Sequence, residues 1–316
     1  MNTTRAVVIS APQQLDLQTV ELTPVGDDDL VVETCYTSIS SGTERMLLAG
    51  RMPHPMLQFP VIPGYETVGR VVELGRNVPL ELHGQLVYVG GARCFQGVNP
   101  AWGGQSAILI TDFRRVVPLG AVPADQGVLL ALAATALHGI DLLAPAADNR
   151  TLVLGQGPVG QIAARLARSH GAWVAVSDRV PGRLERSHAD IRIDVGQTTL
   201  SSAIEAPVDM IIEATGSMAA LAEALPLLAD GGTILLLGYY DELRLPYMPL
   251  FLKQVRLLTA REWAAGDLVR CRDMMALGTL QVGELISHHM PIEQFAAAYH
   301  IALEEPECLK LVLSWS

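Results

Sequence analysis

The stretch Val153-Leu-Gly-Gln-Gly-Pro-Val-Gly160 constrains this chain more than any other feature. Its glycines at 155, 157 and 160 have GxGxxG spacing, with an apolar strand candidate, Thr151–Leu154, before them and a helical stretch, Gly160–His170, after. In such a strand–turn–helix the first glycine permits a tight turn, the second lets a ligand approach the backbone, and the third lets helix pack on strand. The helix start, with Pro158 and Val159 in its first turn, aims unpaired N–H groups at an anion. Asp178 lies 18 residues beyond Gly160, at the end of the next strand candidate, Trp173–Ser177. A carboxylate there can accept hydrogen bonds from a ribose. Together these features predict a dinucleotide-binding Rossmann unit.

The alternation continues through the strand candidates Met210–Glu213 and Thr233–Leu237, separated by a helical stretch, Met218–Leu228. Strands and helices at this spacing imply a doubly wound parallel sheet, class α/β. Glu213-Ala-Thr-Gly-Ser217 and Leu237-Gly-Tyr239 follow strands at the carboxyl edge, where such sheets bind ligands, so Thr215, Gly216 and Gly238 join the cofactor-binding candidates. Residues 1–119 read differently: short β-type runs such as Arg5–Ser10, Leu30–Thr34, Gly69–Leu74 and Gln85–Val89 are broken by Gly and Pro. A helical segment, Ala124–Leu143, leads into the alternating region, and an apolar strand, Leu309–Leu313, closes the chain. The expected plan is a nucleotide-binding domain over 120–254, inserted into a β-rich domain of residues 1–119 that a return segment, 255–316, completes.

Half of the 316 residues are hydrophobic and 17% charged, enough to bury a large core. With 33 acidic against 22 basic side chains the net charge is −11, which argues against nucleic acid as a partner. The apolar run Val128–Leu137 is far short of the roughly 18 residues that cross a bilayer. MNTTRAVVIS is too short in its apolar run for a secretion signal. Cys35, Cys94, Cys271 and Cys308 are scattered, with no CxxC pair to indicate a zinc knuckle. A cytoplasmic protein is expected, and a homo-oligomer, with a dimer favoured.

Asp178 also bears on which dinucleotide binds. Facing it at about 4 Å, each charge of a 2′-phosphate would cost about 4 kcal/mol at an effective dielectric near 20. Arg179 opposes this, since a neighbouring arginine can accommodate that phosphate. The carboxylate should win, so the expected cofactor is NAD.

At this point the sequence resembles the medium-chain dehydrogenase/reductase family over nearly its whole length. Gly64-Tyr-Glu-Thr-Val-Gly69 matches the family's GHE…G segment, Ser41-Gly-Thr-Glu44 its CGTD segment, and Leu285–Ile292 its closing segment. The resemblance implies a Rossmann sheet inserted into a GroES-like domain. It also places Ser41, Tyr65 and Ala131 where zinc-dependent members carry their catalytic metal ligands. All three ligand types are gone, and only Cys94 remains in the region of the structural zinc lobe, so no metal is expected. Ser40–Arg45, Gly50–Pro53, Val61–Glu66 and Gly97–Gly104 are similar to a zinc-free branch acting on bacteriochlorophyll precursors. That likeness implies a tetrapyrrole substrate and NAD-linked oxidation of its 3-(1-hydroxyethyl) group to 3-acetyl.

Without a metal, side chains must handle the alcohol proton. Thr43 matches the family's hydroxyl relay position, and Tyr65 and Glu66 share the loop that elsewhere holds zinc. A buried Glu66 could take the proton, relayed by Thr43 or Tyr65, or it could pin its loop through backbone N–H groups. Tyr65 reads equally as a packing residue, and Ser41 as a space-filling remnant. His138 on an apolar helix reads as a packing histidine. The neighbours His288 and His289 point oppositely on a strand, so they do not share a metal. Met46, Met52, Met56, Phe95 and Trp102 fall on loops that can present adaptable apolar surface or enter the core. Two other functions remain open: a quinone or enoyl reductase of the same fold, and a non-catalytic nucleotide-binding regulator.

Overall fold

The computed structural model describes residues 2–52 and 57–315, so Met56 and Pro53 lie outside the described residues. Two compact units form: Met1–Ala131 with Ile286–Ser316, and Leu132–Leu285.

The second unit is built on six parallel strands in the spatial order Ile191–Asp194, Trp173–Asp178, Arg150–Leu154, Val208–Glu213, Leu228–Leu236 and Arg256–Thr259. Val153, Val174, Val176, Ile211, Ile212 and Leu235 are fully buried along the central strands. A parallel strand covered on both faces needs such continuous apolar runs. The order reverses between Arg150–Leu154 and Val208–Glu213, and the loops after these two strands flank that switch point, where open α/β sheets take ligands. The helix Pro158–Ser169 begins with Pro at its first position, where the missing N–H costs nothing, and buries Ile162, Ala163, Leu166 and Ala167. It stops at His170, followed by Gly171 with φ +83. The outer strands Ile191–Asp194 and Arg256–Thr259 escaped the sequence reading; each is only four residues long and carries charge.

The first unit is β-rich, as expected. One sheet runs Gln14–Glu21, Thr3–Ala11, Val61–Ile62, Asn99–Pro100. The larger sheet runs His288–Pro291, Leu311–Ser314, Asp29–Ser38, Thr67–Leu74, Leu86–Val89, Val116–Pro118, with Ile108–Asp112 also paired to Asp29–Ser38. Its C-terminal strand pairs antiparallel with Tyr36–Ser38, which places Leu311 and Val312 beside the segment that leads into the helix Ser41–Leu48.

The unit boundaries differ from the expected 119 and 254. The anticipated helix Ala124–Leu143 is two pieces, Ala124–Gly127 and Leu130–Leu143, and most of the second belongs to the nucleotide-binding unit. A Cβ on Gly139 would lie 2.9 Å from Leu237 and 3.1 Å from Leu235, so this helix packs tightly against the parallel sheet. Residues 255–285 join the same unit rather than the return segment. Arg256–Thr259 supplies the sixth strand, and Arg270 of the helix Asp267–Ala276 bonds Asp141 at 2.5 Å. No helix among the described residues is long and apolar enough to cross a membrane.

Candidate active site

The glycine-rich turn has the geometry its sequence requires. Gly155 sits at φ +86, and a Cβ on Gly160 would lie 1.9 Å from the Gly155 carbonyl oxygen, so no other residue fits there without moving the backbone. A Cβ on Gly157 would meet nothing within 4 Å, which leaves the backbone open on that side. Gly157, Pro158 and Val159 are partly exposed at the helix start, while Gln156 is fully buried and its Oε1 has no hydrogen-bond partner among the described residues. Open N–H groups at a helix start fit a pyrophosphate.

Asp178 ends the neighbouring strand, and both of its carboxylate oxygens accept backbone hydrogen bonds. Its Oδ2 accepts from the Gln156 N–H at 2.6 Å and its Oδ1 from the Val180 N–H at 2.9 Å, tying the glycine-rich turn to the next strand. Arg179 is exposed. On the other side of the switch point, Glu213 is fully buried and gathers the following loop. It accepts from Thr215 N–H at 2.7 Å, from the Thr215 hydroxyl, and from Gly216 N–H at 3.1 Å. Burial pushes its carboxyl upward, against those hydrogen bonds. A Cβ on Gly238 would lie 2.5 Å from the Gly216 nitrogen, so the two loops bearing Thr215, Gly216 and Gly238 close on each other only because both positions lack side chains.

In the first unit, the three zinc-ligand positions do not fit a metal. Ala131 offers no donor and is fully buried, and Ser41 has only a hydroxyl. The phenol of Tyr65 is engaged with Ser40 Oγ at 2.6 Å and with Thr43 Oγ1 at 3.5 Å. Among the described residues, no group of three His, Cys, Asp or Glu side chains could hold a metal ion. Cys94 is buried in the apolar core, accepts from Ile110 N–H, and has its thiol pushed up to about 11 by burial.

Ser40, Thr43 and Tyr65 therefore form a hydroxyl cluster at the start of the helix Ser41–Leu48. Burial, then the charge of Glu66, raise the Tyr65 phenol, so it is held as a neutral donor and acceptor. Its ring lies 5.3 Å from that of Trp102, tilted by 59°. Trp102 adopts φ +71, a strained value for a bulky residue, and borders an apolar cluster with Met52, Leu57 and Phe59. Phe95, by contrast, enters the β-rich core.

Glu66 has the surroundings of a structural carboxylate. Its Oε2 accepts from the Ser38 hydroxyl and ion-pairs with the ammonium of Lys310, which also donates to the Ile39 carbonyl at 3.2 Å. These contacts tie the loop to a lysine and a hydroxyl, not to the backbone N–H groups expected of a loop-pinning carboxylate, and Oε1 of Glu66 is buried with no hydrogen-bond partner among the described residues. Glu66 and Lys310 side chains are 0% and 2% exposed. Beside them Glu44, also buried, accepts from the Tyr299 hydroxyl and from Ser40 N–H at 3.3 Å. Lys310, Glu44, Tyr299, Ser38 and Ser40 were absent from the candidate set. A signal existed for one: Lys310 is a lone charge inside the apolar run Leu309–Leu313, and a buried lysine needs a partner.

The histidines sit at the edge of this picture. His138 Nδ1 is 3.8 Å from Asp267, His289 Nε2 is 3.2 Å from Asp125, and His288 Nδ1 is 2.9 Å from Ser287.

Comparison with known proteins agrees with this architecture. Residues 26–121 match the alcohol dehydrogenase GroES-like domain, and residues 158–271 match the zinc-binding dehydrogenase model. The chain is 33% identical to 2-desacetyl-2-hydroxyethyl bacteriochlorophyllide A dehydrogenase of Cereibacter sphaeroides, covering 99% of this chain and 98% of that one. It is 34% identical to the protein of the same name from Rhodobacter capsulatus, with the same coverage. Among solved structures, an alcohol dehydrogenase from Escherichia coli CFT073 crystallised with NADH shares the fold with a TM-score of 0.87 at 21% identity, each chain covered fully. The Rossmann sheet, the GroES-like unit and the near full-length likeness together make this chain a member of the medium-chain dehydrogenase/reductase family and an alcohol-type oxidoreductase.

Proposed function

We propose that the protein oxidises the 3-(1-hydroxyethyl) side chain of a bacteriochlorophyllide to 3-acetyl, with NAD as cofactor and without a metal. The observation that carries this reading is the near full-length likeness to two bacteriochlorophyllide dehydrogenases. The site adds chemical support, since hydroxyl side chains stand where a zinc-dependent member would bind its metal.

Bound at the glycine-rich turn, the nicotinamide nucleotide supplies the acceptor for the hydride that leaves the carbinol carbon. The chain's own residues have three tasks. Gly155, Gly157 and Gly160, with Pro158 and Val159, present the helix start to the pyrophosphate, and Asp178 orients the ribose while its charge disfavours a 2′-phosphate. Thr215, Gly216 and Gly238, held together by Glu213, form the loops on the far side of the switch point. Thr43, Tyr65 and Ser40 hold the substrate oxygen and pass its proton along a run of hydroxyls, each able to accept one proton while donating another, to water at the partly exposed Thr43. Ser41 begins the helix that carries Thr43, and Glu66 anchors the loop of Tyr65. Trp102, Met46 and Met52 offer apolar surface to a rigid macrocycle, whose burial orients the reacting carbon without freezing rotatable bonds.

A homodimer is part of the same proposal. The strand Arg256–Thr259 is the open edge of the parallel sheet, and the neighbouring helix Tyr247–Leu252 exposes Tyr247, Met248, Phe251 and Leu252. Each such side chain gains about 1.5–3 kcal/mol on full burial.

The test is an absorbance assay with NAD and hydroxyethyl bacteriochlorophyllide, run with and without a strong chelator. The pigment band should shift as a conjugated ketone forms, at the same rate in both conditions, and ethanol should be a poor substrate. An inert pigment alongside rapid turnover of small alcohols refutes the substrate; loss of activity on chelation refutes the metal-free chemistry.

A further inference from the structure

The buried charges beneath the hydroxyl cluster do not balance. Two carboxylates, Glu44 and Glu66, lie with one ammonium, Lys310, and that ammonium is spent on Glu66. Glu44 has only neutral donors, the Tyr299 hydroxyl from the helix Phe295–Glu304 and the N–H of Ser40, the N-cap residue of its own helix. The groups facing it are Tyr299, Ser40, Glu66 and Lys310, and its charge is also felt by Tyr65. Nothing among them gives Glu44 a cation of its own, and Glu66 repels its charged form. A desolvated carboxyl in that setting takes up a proton well above the ordinary carboxylate range.

Glu44 is also placed where its charge matters. It lies in the first turn of the helix that carries Ser41 and Thr43, and it reaches back to the N–H of Ser40, whose hydroxyl holds Tyr65. We propose that Glu44, clamped by Tyr299, is a positioning residue that sets the start of this helix, and with it Thr43 and Tyr65, according to whether its carboxyl is charged. Its role as an aid to catalysis rests on the alcohol-oxidation reading above; its role as a switch in the fold does not.

Burial, opposed by the Tyr299 and Ser40 hydrogen bonds, raises the Glu44 carboxyl from 4.5 to about 7. A carboxyl raised on folding stabilises the fold when protonated, an advantage lost as pH climbs through the folded value. Between about pH 6 and about pH 8 the linkage amounts to roughly a tenfold fall in the protection of whatever segment must open to expose Glu44.

Hydrogen–deuterium exchange of residues 40–48, corrected for intrinsic pH dependence, reads this directly and needs no substrate. The wild type should lose protection by about tenfold over that range. Glu44→Gln should abolish the dependence, and Tyr299→Phe, which removes a bond favouring the charged form, should move its midpoint upward. Protection that is flat with pH in the wild type, or that keeps its midpoint in both variants, overturns the inference. Turnover of the pigment alcohol adds a second readout: the pH limb near neutrality should vanish in Glu44→Gln with little change in KM. If that limb persists in Glu44→Gln while exchange responds as expected, the switch stands and its link to the reaction is refuted.

Discussion

Replacing Lys310 with Met asks whether Glu66 is an anchor or a base. Met keeps the length and apolar stem of lysine, so packing in the strand region Leu311–Ser314 is little disturbed, and only the ammonium is lost. The side chains involved are 2% and 0% exposed, so water cannot replace the missing charge. Removing one member of such a pair costs about 3–5 kcal/mol, because the partner is left buried and uncompensated. Glu44 shares the pocket, and in its charged form it places the cost toward the upper end, so the loss should be larger above about pH 7 than below it. Lys310→Met should therefore lower the urea midpoint sharply, and Glu66→Gln should do so less, because the amide still accepts from Lys310. The double variant Lys310→Met/Glu66→Gln removes both charges and should recover about 2–3 kcal/mol relative to additivity. Urea unfolding followed by tryptophan fluorescence measures all four proteins, with Trp315 and Trp102 reporting from the same unit as the pair. Single variants within about 0.5 kcal/mol of wild type, or strict additivity, would refute the anchoring role. A Glu66→Gln protein of normal stability whose turnover falls about a hundredfold, while Lys310→Met retains activity, would return Glu66 to the role of general base.

The nucleotide site and the subunit contact each give a further test. Asp178→Ala should weaken NAD by at least about tenfold and NADP much less, since the substitution removes both the ribose acceptor and the bond to Gln156 N–H but relieves repulsion of a 2′-phosphate beside Arg179; equal wild-type affinities for the two in fluorescence titrations would end the assignment. Phe251→Glu combined with Leu252→Glu should convert a dimer to monomers in sedimentation velocity without loss of helical signal, and an unchanged sedimentation coefficient would place the subunit contact elsewhere.

Much of the nucleotide-binding unit was legible in the sequence because its determinants are local. A glycine at 160 is demanded by a carbonyl five residues earlier, and continuous apolar runs mark strands covered on both faces. The outermost strands were less readable: Ile191–Asp194 and Arg256–Thr259 have four residues each, and their pairing comes from a neighbouring strand rather than from their own pattern. The same reason explains the displaced domain boundary. Helix Leu130–Leu143 is apolar nearly all round, so its sequence does not say which sheet it will cover, and Gly139 against Leu235 and Leu237 decides it.

The candidate site divides in the same way. Ser41, Thr43, Tyr65 and Glu66 were visible as residue types in recognisable segments, and the missing metal ligands could be counted from the chain alone. What each does depends on groups far away in sequence. Tyr299 reaches Glu44 across 255 positions, and Lys310 reaches Glu66 from the position just before the strand Leu311–Ser314. A carboxylate's chemistry is set by its desolvation and its nearest charges. Sequence set Glu44 beside Thr43 and Glu66 beside Tyr65; tertiary packing alone brought the two glutamates together and decided that one would keep a cation and the other would not.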